Sequence, residues 1–342
     1  MSAFPARRLM PCSTLALLLA ACGPDATGIA VDAPTPRASL NSADPEPRLS
    51  AWSEPVHLGP IVNTTAADFD PFVSKDGLSL YFASGGGRGG SGGRDLWVAE
   101  RPTTSDSWRT PYNLDNVINS GAHESKPSLS VDGHRLYFAS NRTGGLGGFD
   151  LYVARRRDKR DNLGWEAPVN LGSGVNSTAD EESPAAIFDD DANGEVVLYF
   201  ASNRPGHGTF DIYVSTMLPD GSFGPAALVE ELSTAFVDRD PSIRRDGREM
   251  FLTSNRPGTL GGTDIWVATR SSTSHPWSAP VHLGEGINSP PRPPDLEQAN
   301  DGGASLSFDG MTLYFHSPFR PENVSLMFDI WVSTRGRLTG RP

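Results

Sequence analysis

PSLSVDGHRLYFASNRTGGLGGFDLYVARRRDKRDNLGWEAPVNLGSGVNS, residues 127–177, is one unit of a repeat that fills most of this chain. It opens on Pro127 and a short apolar run, turns at Asp132-Gly133, and continues through Leu136-Tyr-Phe-Ala-Ser to Asn141-Arg142. A glycine-rich loop leads to Phe149-Asp150-Leu-Tyr-Val, and Trp165-Glu-Ala-Pro168-Val-Asn-Leu171 follows. Aromatic and β-branched runs of this length have strand character, and Asp-Gly supplies the positive φ of a tight hairpin. The unit therefore reads as four strands.

The pattern recurs around Leu80, Leu198, Met250 and Leu313, with its third-strand aspartate at Asp95, Asp150, Asp211, Asp264 and Asp329. These aspartates stand roughly 53 to 65 residues apart, about one propeller blade each. The hairpin dipeptide recurs at Asp76, Asp132, Asp246 and Asp309, with Asn193-Gly194 in the third unit. An isolated four-stranded sheet leaves both faces wet, so five such units must stack in a ring. The fifth ends after its third strand, Phe328 to Thr334, and the missing segment precedes the first unit as Trp52-Ser-Glu-Pro55-Val-His-Leu58. It matches the stretches opened by Trp108, Trp165 and Trp277. The expected fold is all-β: a five-bladed β-propeller of four-stranded blades over residues 51–336, closed by the N-terminal strand completing the last blade. Residues 337–342 are a short C-terminal tail.

The repeats resemble the TolB-type, WD40-like propeller repeat of bacterial periplasmic proteins. That resemblance implies a propeller in the bacterial envelope and says little about activity. The N-terminus agrees with export. Arg7 and Arg8 precede the apolar run Leu15–Ala21, which is too short to span a bilayer and reads as a signal peptide over residues 1–22. Leu19-Ala20-Ala21-Cys22 resembles the lipobox of bacterial lipoproteins, which implies lipidation at Cys22, membrane attachment through it and, with Gly23 next, the outer membrane. Residues 23–50 are rich in Pro, Ala, Ser and Asp and are expected to be a disordered tether. Both cysteines, Cys12 and Cys22, lie at this end, so the propeller has no disulfide and no thiol nucleophile.

The formal net charge is −12, and removal of the leader takes away two arginines and no acid. Such a balance argues against nucleic acid and against anionic lipid headgroups as partners of the domain.

An acid precedes the Pro127-like position by three residues in every unit: Asp68, Glu124, Glu181, Asp238 and Asp301, with Asp70, Glu182 and Asp240 nearby. Chain direction puts them on the same face as Asn141-Arg142, Asn203-Arg204 and Asn255-Arg256, with Arg88 and Arg320 in the remaining units. One expectation is a ligand site at the channel mouth formed by the five acids with Arg142, Arg204 and Arg256. No cofactor is implied beyond a Ca²⁺ ion that such a ring could hold. The other is five ion pairs that order the loops. In-register tryptophans read as core, and Asn63, Asn119, Asn176 and Asn288 as loop caps. The proline-rich insertion Pro290–Glu297 breaks the five-fold pattern.

No His-Glu-x-x-His, Gly-x-Ser-x-Gly or specialised acid stands out, and no catalytic residue is nominated. The expected function is a monomeric, membrane-anchored binding or scaffold module whose top face takes an envelope protein or a glycan. The alternative is a glycoside hydrolase-like enzyme using channel-mouth carboxylates.

Overall fold

A computed structural model describes residues 48–190, 195–290, 299–318, 320–325 and 327–338. The chain divides into two units, Met1–Glu46 and Pro47–Pro342. The leader, Cys22, nearly all of the tether, the Asn193-Gly194 turn, residues 291–297 of the insertion and the last four residues lie outside the described residues.

The second unit is a five-bladed propeller. β1 (Val56–His57) comes first in the chain. The first blade is β2 (Asp68–Val73), β3 (Ser79–Gly85), β4 (Arg94–Glu100) and β5 (Tyr112–Asn113), followed by a single turn of helix, α1 (Asp115–Ile118). The second is β6 (Glu124–Leu129), β7 (Arg135–Ser140), β8 (Asp150–Arg155) and β9 (Val169–Asn170). The third is β10 (Glu181–Asp190), β11 (Glu195–Ser202), β12 (Asp211–Thr216) and β13 (Ala227–Leu228). The fourth is β14 (Asp238–Ile243), β15 (Glu249–Ser254), β16 (Asp264–Thr269) and β17 (Val281–His282). In the fifth, β18 (Gly302–Leu306), β19 (Thr312–Pro318) and β20 (Phe328–Thr334) are completed by β1, in the antiparallel register Val56↔Val332 and His57↔Trp331.

Alternation along the second strand of each blade glues the ring together. Tyr81 packs into the cluster it shares with Leu129, Phe138 and Trp165 of the second blade. Its neighbour Phe82 points the other way, to a cluster containing Tyr314 and Ile330 of the fifth. Tyr137 and Phe138, Tyr199 and Phe200, and Tyr314 and Phe315 are buried in the same manner. Each such ring contributes about 2–3 kcal/mol by leaving water, and burial on both faces is why the blades cannot stand alone.

Fourth strands are only two residues long, and a proline without an N–H, Pro55, Pro111, Pro168 or Pro280, directly precedes four of the five. The tryptophan before it goes inward under an arginine from the end of the third strand. The guanidinium-to-ring distances are 4.2 Å for Arg101–Trp108, 4.3 Å for Arg156–Trp165, 4.2 Å for Arg270–Trp277 and 4.4 Å for Arg335–Trp52.

The inner strands begin earlier than the sequence pattern indicates. The repeated acid is itself the first strand residue in four blades, and a β-bulge follows it in all five. The residue two positions on takes a left-handed conformation: Asp70 (φ 53°), Lys126 (56°), Ser183 (52°), Asp240 (55°) and Gly303 (58°). Pro71, Pro127, Pro184 and Pro241 come next, and they have no N–H to offer the ladder at the bulge.

Candidate functional site at the axial mouth

The five repeated acids are completely buried. Each binds the loop arriving from the preceding blade. Asp68 accepts hydrogen bonds from Thr64 N (2.7 Å) and Oγ1 (2.9 Å), and Glu124 from Ser120 N (2.9 Å) and Oγ (2.6 Å). Glu181, Asp238 and Asp301 bind Ser177, Thr234 and Ser289 alike. Each also faces a guanidinium: Arg88 at 3.0 Å, Arg142 at 3.1 Å, Arg204 at 2.9 Å, Arg256 at 2.5 Å and Arg320 at 3.7 Å. The arginines donate onward to the carbonyls of Val62, Ile118, Val175, Leu232 and Ile287. One residue after each of four of those carbonyls, Asn63, Asn119, Asn176 or Asn288 brackets the third strand of the preceding blade, at Ile330, Leu96, Leu151 or Ile265. The set joins blade to blade, and all eight side chains nominated for a ligand are engaged within it.

Asp301 is the loosest member. Burial pushes its carboxyl up to about 6, with Arg320 opposing. A carboxyl held above its ordinary value near 3.8 takes up a proton on folding between about pH 4 and 6, so this group's contribution to stability falls as pH rises through that window. The fall is about 2–3 kcal/mol. Asp301→Asn is expected to abolish it, as urea melts at pH 4 to 7 would register; an unchanged slope would remove Asp301 as its source.

The side chains that meet on the axis are those of the bulge. Lys126 Nζ lies 2.6 Å from Asp70 Oδ1 and 2.6 Å from Asp240 Oδ1. Blades two and four are not neighbours in a ring of five, so the second contact crosses the bore. Ser183 Oγ donates to Asp240 Oδ1 (2.6 Å), and Gly303 N to Asp240 Oδ2 (3.3 Å). The fifth blade has glycine at this position because His316 fills the space, and a Cβ on Gly303 would stand 2.5 Å from the imidazole Nδ1. Burial pushes His316 down to about 3, so it is neutral, and its Nδ1 accepts the Asp70 N–H (3.2 Å).

The two aspartates share one ammonium yet shift oppositely. Burial pushes Asp70 up, and Lys126 only partly opposes this; its Oδ2 has no hydrogen-bond partner among the described residues. Burial also acts on Asp240, but Lys126, Arg239 and the Ser183 hydroxyl hold its carboxyl well below the usual range. Burial lowers the pKa of Lys126, but the two carboxylates outweigh that effect and the net shift is upward. Half-buried Glu182 is pushed up by burial, against Lys126 and Arg239. Arg239, beside Asp240, has an Nε–H without a hydrogen-bond partner among the described residues.

Among the described residues no group of three or more His, Cys, Asp or Glu is arranged to hold a metal. The position a cation would take between Asp70 and Asp240 belongs to Lys126 Nζ. Lys126, Ser183, Arg239 and His316 were missed by sequence reasoning. The available signal was departure from the repeat: Asp, Lys, Ser, Asp and Gly at one equivalent position.

No family model matches the chain, and no curated protein matches it. Solved structures do. An α-L-arabinofuranosidase from Lactobacillus brevis is 16% identical, over 81% of this chain and 92% of that one, with a TM-score of 0.55. A thermostable family-43 glycoside hydrolase is 16% identical, over 84% and 94%, at 0.54. The catalytic domain of a Coprinopsis cinerea α-L-arabinofuranosidase is 14% identical, over 86% and 100%, at 0.51. At these identities what is shared is the fold.

Proposed function

We propose that this protein binds a neutral glycan at the axial mouth of the propeller. The observation that carries the reading is a pair of unmatched atoms among the described residues: Oδ2 of the buried Asp70, which has no donor, and the Arg239 Nε–H, which has no acceptor. A sugar hydroxyl donates and accepts at once, so a polyol satisfies both groups. A bare anion would meet Asp70, Glu182 and Asp240, and a bare cation would meet Lys126 and Arg239. The structural neighbours that act on arabinosides use the same fold, which supports a sugar over other polyols. Export and lipidation at Cys22, as read from the leader, would hold the site in the bacterial envelope, outer membrane first, where glycans are at hand.

Hydrolysis is the second reading, and one observation favours it. Glu182 is biased to keep its proton while Asp240 stays ionised, the division of labour an acid–base pair needs. Against it, Lys126 occupies the space between two of the three carboxylates.

Titration calorimetry of the protein with arabino- and xylo-oligosaccharides, run beside a reducing-sugar assay, separates the two. Binding without sugar release is expected, weakened about tenfold or more in Arg239→Gln. Release that disappears in Glu182→Gln would move the protein to the hydrolases. Failure to bind any oligosaccharide would sink the glycan reading.

A further inference from the structure

We propose that the cleft between the fifth and first blades, on the face opposite the axial mouth, is a binding site for a small carboxylate with an apolar body. The cleft has a volume of about 500 Å³. Leu58, Val73, Phe308 and Val332 supply its apolar wall, and Arg101 and Tyr314 are among its polar groups. The neighbouring clefts of the same ring show what this one lacks.

Each tryptophan-stacked arginine donates from Nε to the hairpin glycine carbonyl of its own blade: Arg101 to Gly77 (2.7 Å), Arg156 to Gly133 (2.8 Å), Arg270 to Gly247 (2.5 Å) and Arg335 to Gly310 (2.8 Å). In two of them the terminal nitrogens meet an acceptor oxygen between the blades. Arg335 Nη1 and Nη2 donate to Glu249 Oε1 (2.8 Å) and Oε2 (2.6 Å) of the fourth blade. Arg156 Nη1 donates to Asn162 Oδ1 (2.5 Å) and to the Tyr81 oxygen of the first blade (3.1 Å), and the Tyr81 hydroxyl donates to the same Asn162 oxygen. Asn162 reaches that point from a loop that runs ten residues from Arg156 to Trp165, where the first blade has eight from Arg101 to Trp108.

Between the fifth and first blades the same frame stands without the acceptor. Arg101 occupies the place of Arg156 and Arg335, and buried Tyr314 that of Tyr81. Burial pushes the Tyr314 hydroxyl up, with Arg101 opposing. The shorter loop brings no asparagine. The place of Glu249, opposite the residue before the arginine, is taken by Thr312. Arg101 has no carboxylate or carboxamide partner among the described residues. A carboxylate oxygen placed as Asn162 Oδ1 is would accept from the guanidinium and the phenol together, and the second oxygen would take the other fork nitrogen, as Glu249 does with Arg335. Its apolar body would leave water against Leu58, Val73, Phe308 and Val332. Lys75 and Arg101 are balanced in this cleft by Asp76 and Asp309, whose Oδ1 atoms close their own hairpin turns, so selection rests on the fork and the phenol rather than on net charge. Arg270 has no such partner either, but there the place of Thr312 is taken by Val197, which packs against the Trp277 cluster.

Titration calorimetry of the full chain with hexanoate and benzoate, against hexanol and benzyl alcohol, tests the site. The carboxylates should bind about tenfold more tightly than the alcohols of the same body. Thr312→Glu supplies in the chain the group that Glu249 supplies to Arg335, so it should raise the thermal midpoint and abolish carboxylate binding. Arg101→Lys keeps the charge and loses the fork, and should weaken binding about tenfold. Its result decides the matter should Thr312→Glu fail to fold. The proposal is overturned if neither carboxylate binds, if the alcohols bind as well as the carboxylates, or if a folded Thr312→Glu or Arg101→Lys variant binds them as the parent does.

Discussion

Lys126→Met is expected to destabilise the propeller by about 3–5 kcal/mol at neutral pH, because methionine keeps the length of lysine and removes its charge. Asp70 and Asp240, both buried, would face each other across the bore with no counter-ion between them. The pH dependence carries the signature. In the parent, Asp240 is held below its ordinary value near 3.8 and Lys126 above its ordinary value near 10.5. The aspartate's contribution is present above about pH 4 and is lost as pH falls toward its folded value. The lysine's is present below about pH 10 and is lost as pH rises through its folded value. The lock therefore acts across the whole neutral range. In the variant at least one carboxyl must take a proton to stay buried, so stability should fall as pH rises from about 4 to 7. Urea melts at pH 4, 5.5 and 7 test this, and a variant as stable as the parent at pH 7 would show that the cross-axis bridge contributes nothing.

Internal deletion of Trp52–Leu58 is expected to cost more, about 5 kcal/mol or above, and to leave the fifth blade open. The segment supplies β1, the His57–Asp329 contact at 2.9 Å, the Ser53 N bond to Thr334 O at 2.7 Å, and the ring of Trp52 beneath Arg335 and against Phe251 of the fourth blade. Without it β20 becomes an exposed edge, able to pair with another chain. The expected readings are a lost or broadened thermal transition and a concentration-dependent dimer in sedimentation. A monomer melting like the parent would mean that three strands suffice for the last blade.

Ring closure was legible because the repeat is complete except at its ends, where a missing fourth strand and a spare one match in Trp, Pro and Leu spacing. The blades were legible because Tyr-Phe pairs and Asp-Gly turns act locally. Strand boundaries were less so. The acids at Asp68, Glu124, Glu181 and Asp238 look like loop residues since a polar side chain before a proline suits a turn, yet the bulge brings them into the ladder. The axial cluster was read only in part: Asp70, Glu182 and Asp240 were visible as extra acids, but Lys126 between them was not.

Composition, repeat and turn chemistry thus determined by themselves that this chain makes five four-stranded blades and closes on its own beginning, since strand propensity and hairpin geometry depend on near neighbours. Which charged groups meet was decided by tertiary structure alone. Residues 70, 126 and 240 are far apart in the chain and come within reach of each other only where five bulges face one axis. The same closure buries the repeated acids, and a net charge counted along a sequence does not contain that fact.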